Sequence, residues 1–175
     1  MVNRRPNSRN SIDPPGGAIM DNEVASIVAF YCEIMLGNAH PSLGLACGEY
    51  LDQRRLIYSL ESLRVVDDYL LQVHRKLQNR PVAELATTVM SVASYVGEVV
   101  RRATPQTQCQ WACSVDAPPN LVADGVSLTD IGELVLLWGA DNAAVIPTDA
   151  VIQRIRYGSL ADCIHDFAIA AMKLA

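Results

Sequence analysis

A chain of 175 residues that is half apolar and 19% charged is long enough to bury one core without disulfides or metal, which excludes a disordered chain and sets one domain as the expectation. No run of about 18 apolar residues is present, which excludes an apolar membrane-spanning helix and gives the expectation of no membrane partner. The formal charge is −5; three arginines against Asp13 make the first twenty residues locally positive, so the remainder is more acidic still and disfavours nucleic acid. Cys32, Cys47, Cys109, Cys113 and Cys163 form an odd set with no apolar leader before them, which points to a reducing cytoplasm rather than a secreted disulfide scaffold.

In chain order, residues 1–19 mix Arg, Asn, Ser, Pro and Gly and read as a flexible tail, leaving 20–175 as a single globular domain. Asp21 is an N-cap candidate for a first helix carrying Val24, Ile27, Val28, Tyr31, Ile34 and Met35, with Gly37 as its stop. Residues 40–58 hold partly periodic apolar positions weakened by Gly44 and Gly48, and read as a short, imperfect helix. Ser59 caps an amphipathic helix whose stripe is Leu60, Leu63, Val66, Leu70, Val73 and Leu77, with Glu61, Asp67, Asp68 and Lys76 off it. Pro81 opens the next helix, which buries Leu85, Val89, Ala93, Val96 and Val100 and runs to about Arg102.

After Pro105 the period changes to alternation, with Cys109, Trp111, Cys113 and Val115 on one side of a half-buried strand. Two further strands, Leu134 to Trp138 and Ala143 to Ile146, flank a hairpin connection at 139–142. Pro147 opens a helix through Tyr157 that Gly158 ends, and Ser159 with Asp162 starts a last helix facing Leu160, Cys163, Ile164, Phe167, Ala168 and Ala171 inward. The expectation is an α+β fold: three or four N-terminal helices, a three-stranded antiparallel sheet and two C-terminal helices.

Candidate chemistry is sparse. Cys109 and Cys113 lie more than about a dozen ångströms apart on an extended strand and lack companions, so no metal or other cofactor is expected. Cys163 and His165 diverge on a helix rather than forming a dyad, and no glycine loop with Lys and Ser/Thr offers a phosphate cradle. On α-helical projection Glu98 falls away from the apolar stripe, accessible and three and four residues before Arg101 and Arg102, while Gly97 reads as a close-packing position.

The stretch Tyr58 to Leu63, the segment Tyr95-Val96-Gly97-Glu98-Val99-Val100-Arg101-Arg102, the tryptophan strand, and Pro147, Val151, Arg154 and Gly158-Ser159-Leu160 together resemble a loose group of small uncharacterised bacterial α+β proteins over roughly residues 55–170. In place of the glycines usual between the arginines and the tryptophan, this chain has Ala103 to Gln110. The resemblance implies a cytoplasmic binding protein, of the kind that includes immunity proteins neutralising antibacterial toxins, and it supplies no catalytic residues. The expected function is therefore non-enzymatic: an immunity protein that blocks a cognate toxin's active site with an acidic face made of Glu61, Asp67, Asp68, Glu84 and Glu98, with Tyr95 as an aromatic anchor. The rival expectation is a small cytoplasmic hydrolase using Cys47, Cys163 or His165 in a site assembled by folding.

Overall fold

The computed structural model describes residues 17–38, 44–105, 109–113, 134–138, 143–158 and 163–174. Among these residues there are five α-helices: α1 (Gly17–Met35), α2 (Leu60–Leu77), α3 (Ala86–Ala103), α4 (Pro147–Tyr157) and α5 (Ile164–Met172). Three short strands, β1 (Cys109–Cys113), β2 (Leu134–Trp138) and β3 (Ala143–Val145), pair antiparallel in that order, with Trp111 opposite Leu136 and Leu136 opposite Val145.

The expected α+β class is thereby corrected. Helices of 19, 18, 18, 11 and 9 residues stand against strands of 5, 5 and 3, and Trp111 is the only strand residue among the described buried apolar side chains. The molecule is mostly helical. Among the described residues the buried apolar side chains come almost entirely from the helices, each of which brings an apolar face.

Helix α3 is the centre. It packs against α1 and α4 and also touches α2 and α5, and every residue from Thr88 to Val100 is buried. Its Ala, Ser, Thr, Gly and Val side chains are small, which lets neighbours approach from several sides. Against it lie Val24, Val28, Cys32 and Met35 of α1 and Leu63, Val66, Leu70 and Val73 of α2.

Ser59 caps α2 as expected: Ser62 N–H donates to Ser59 Oγ and Ser59 N–H to Ser62 Oγ, both at 3.2 Å. Gly158 ends α4 in the left-handed conformation at φ 59°, beside the ring of His74. Other boundaries move. Helix α1 begins at Gly17 rather than after Asp21. The expected helix at 40–58 is replaced, among its described residues, by two 3-10 turns, Gly48–Tyr50 and Gln53–Arg55. Side chains satisfy the backbone there: Ala46 N–H donates to Thr88 Oγ1 at 2.9 Å and Ala46 O accepts from Tyr69 at 2.6 Å. Helix α5 begins at Ile164 with Cys163 at the cap position; the expected Ser159–Asp162 start, the 139–142 connection and residues 1–16 lie outside the described residues.

Candidate functional site

Three of the residues expected on an acidic surface are inside the protein. Asp67 is buried on α2 because α5 has no side-chain cap of its own and takes one from this carboxylate. The amides of Ile164 and His165 donate to Asp67 at 2.8 and 3.1 Å, and Cys163 Sγ donates at 2.9 Å. Arg154, also buried, places Nε 3.5 Å from the same carboxylate. Asp67 thus ties α2, α4 and α5 together, and its expected solvated position is corrected.

Tyr95 is fully buried, so it is not an exposed anchor. Its hydroxyl accepts from the amide of Tyr58 at 2.9 Å and lies 2.7 Å from Ser62 Oγ. Glu61, Asp68 and Glu84 do stay on the surface. Glu61 lies 3.6 Å from Arg64 and Glu84 3.2 Å from Arg80, local pairs of the kind exposed helices carry.

Glu98 departs furthest from expectation. It does precede Arg101 and Arg102 at pairing distance, but its side chain is only 11% exposed. Arg101 donates to both carboxylate oxygens, at 2.7 and 2.9 Å, Arg102 Nε lies at 3.4 Å, and Trp111 Nε1 donates from β1 at 2.9 Å. Burial opposes ionisation of Glu98, yet these donors and the two guanidinium charges outweigh it and hold the carboxyl below its ordinary value.

Glu98 forms the floor of an open groove of about 480 Å³ between α1, Tyr58, the end of α3 and β1. Val28, Ala29 and Cys32 supply one wall and Trp111 with Cys109 the other. Arg101, Arg102 and Glu33 also line it. The Arg102 guanidinium sits 3.6 Å over the Tyr58 ring, which stacks on Tyr95 with centroids 4.9 Å apart and planes at 28°. Tyr58 holds φ 55°, a left-handed conformation that costs a non-glycine residue about 1–3 kcal/mol. The bond its amide donates to the Tyr95 hydroxyl and the stack on both ring faces hold it there.

The two described thiols of this groove are held protonated. Burial pushes the Cys32 thiol up to about 12 and the Cys109 thiol up to about 11. Burial also raises Cys47, and burial together with the bond to Asp67 raises Cys163, two thiols named in the hydrolase reading. His165 Nδ1 lies 3.3 Å from Asp166 while Cys163 donates to Asp67, so the rival dyad is not assembled by these contacts. Among the described residues no group of three His, Cys, Asp or Glu side chains is placed to hold a metal, and no helix is long and apolar enough to cross a membrane.

The sequence reading left Tyr58, Cys32 and Trp111 out of the site. Tyr58 stands at the position before a helix cap, Trp111 reads only as one side of a half-buried strand, and no local pattern announces that Trp111 meets a glutamate thirteen residues earlier. No family model matches the chain, and no curated protein or solved structure is significantly similar to it.

Proposed function

We propose that this chain is a non-enzymatic protein-binding module whose recognition surface is the α1–α3–β1 groove rather than the acids of α2. One observation carries the reading: the groove's floor is a closed hydrogen-bonded cluster, Glu98 with Arg101 and Trp111, while Arg102 and, from α1, Ala25 and Ala29 are exposed at its rim. A carboxylate held ionised by three donors is a poor proton shuttle at neutral pH, and thiols held protonated are poor nucleophiles. An apolar concavity with a few fixed polar groups suits recognition instead.

An immunity protein that neutralises a toxin in the cytoplasm remains the concrete form of this proposal. Glu61 and Asp68, seven residues apart on the outer side of α2, provide a second, acidic surface for the same kind of partner. The two surfaces separate by mutation. The protein is immobilised and challenged with lysate of its native host, and retained proteins are quantified against Ala29→Arg and against the double variant Glu61→Lys, Asp68→Lys. The groove reading expects capture lost only in Ala29→Arg; loss only in the α2 double variant returns recognition to the acidic face. Turnover of a substrate by the wild type, abolished by Cys163→Ala with folding intact, would overturn the non-enzymatic reading.

A further inference from the structure

We propose that the groove recognises a carboxylate carried on an apolar stem, with the Arg102 guanidinium as the anion-binding fork; this rests on the groove being the recognition surface. The two arginines at the rim are not equivalent. Arg101 spends Nε and one terminal nitrogen on Glu98, at 2.7 and 2.9 Å. Arg102 touches Glu98 only through Nε at 3.4 Å, its side chain is half exposed, and its terminal nitrogens meet no acceptor among the described residues. The Tyr58–Tyr95 stack lies beneath Arg102 and fixes the plane of the fork before any ligand arrives. Pre-alignment lowers the entropy lost on binding, and a planar fork matches a planar carboxylate in two parallel hydrogen bonds.

The groove also selects against more highly charged anions. Glu33 and Glu98 line it together with Arg101 and Arg102, so the fixed charges balance. A single negative charge gains the Arg102 pairing against modest repulsion from the two carboxylates, whereas a phosphate dianion doubles that repulsion. Val28 and Ala29 on one wall and Trp111 on the other leave an apolar path for the ligand's stem. Because the groove is the surface that meets a protein partner, the carboxylate is a side chain or C-terminus of that partner, and phenylacetate stands in for it.

The probes are phenylacetate, the neutral phenylacetamide and phenyl phosphate, titrated into the full chain by calorimetry and by ¹H–¹⁵N spectra that follow the Trp111 indole and the Arg102 side chain. The expected result is saturable phenylacetate binding at least about tenfold tighter than the amide, with phenyl phosphate weaker than phenylacetate and shifts centred on Trp111 and Arg102. Arg102→Gln removes the preference for the acid, and Arg102→Lys, which keeps the charge but not the fork, restores only part of it. Ala29→Glu, which adds a carboxylate to the wall without touching the cluster, weakens the acid more than the amide and so narrows the preference, an independent check should Arg102→Gln fold poorly. Equal binding of acid and amide with shifts in the groove would overturn the carboxylate claim and leave the groove standing; acid binding centred elsewhere would overturn the groove itself. Phenylacetate that blocks capture of a host protein is the expected result, and phenylacetate that binds in the groove without blocking capture would overturn the placing of the carboxylate on a protein partner.

Discussion

Replacing Glu98 with Gln keeps the shape of the side chain and removes its charge, which makes it a clean probe of the groove floor. The carboxylate accepts two bonds from Arg101 and one from Trp111 while almost buried. An amide has one acceptor oxygen, so it cannot take the guanidinium bidentately, and its NH₂ faces a donor. Breaking a buried pair by removing one partner costs about 3–5 kcal/mol. The Arg101 and Arg102 side chains are 43% and 49% exposed, so water replaces part of what they lose. A loss of about 2–3 kcal/mol remains after that discount. For a chain of this size it corresponds to a fall in Tm of roughly 5–10 °C at pH 7.

The same substitution carries a pH signature. Glu98 is held below its ordinary value in the folded state, so as pH falls the unfolded chain takes up the proton first. Its contribution is fully present above the ordinary carboxylate range and is lost as pH drops through the folded value. Thermal unfolding of wild type and Glu98→Gln at pH 7, 5.5 and 4 should therefore show a gap that is constant between the first two and narrower at the third. A variant as stable as wild type at pH 7, or a gap that widens toward acid, refutes the description of Glu98 as an ionised, buried hub.

Asp67→Ala deprives Arg154 and the start of α5 of their shared carboxylate, and denaturant unfolding should show a loss of about 3–5 kcal/mol; a loss under about 1 kcal/mol would remove Asp67 as the α5 cap. Gly158→Ala puts a Cβ against the His74 ring at a left-handed position, so it should lower Tm distinctly more than Gly48→Ala, whose Cβ meets only Leu45 Cβ at 3.5 Å. Ser94 is buried on α3 with no partner for its hydroxyl among the described residues, so Ser94→Ala should leave stability unchanged or raise it by up to about 1 kcal/mol. Alkylation of Cys32, which is buried, and Cys109, which is half-buried, by iodoacetamide at pH 8, followed by mass spectrometry, should be slow in the folded protein and fast in urea; rapid labelling of the native protein would contradict their protonated state.

The helices were legible because their signals are local. Ser59 as a cap, the Leu63–Val73 stripe of α2, and Pro147 and Gly158 bounding α4 all depend on residues within a turn or two of one another. The balance of the fold was not, since alternation around Trp111 shows a strand but not how little of the core it supplies. The site was less legible still. A helical projection assigns charge to solvent, and Asp67 and Glu98 break that rule because distant partners satisfy them: the α5 amides for one, Trp111 for the other. Helix α3 reads as amphipathic, yet it is buried on every side where its polar residues are small or paired. Tyr58 gave no signal because its left-handed backbone depends on Tyr95, thirty-seven residues on.

The central claim, that recognition takes place in the groove, is tested most directly by photocrosslinking in the native host with a benzoyl-phenylalanine placed at Ala29 on the groove wall or at Asp68 on the outer side of α2. A partner crosslinked from position 29 and not from 68, and competed away by unlabelled protein, is the expected result. Specific crosslinking from position 68 alone would contradict it.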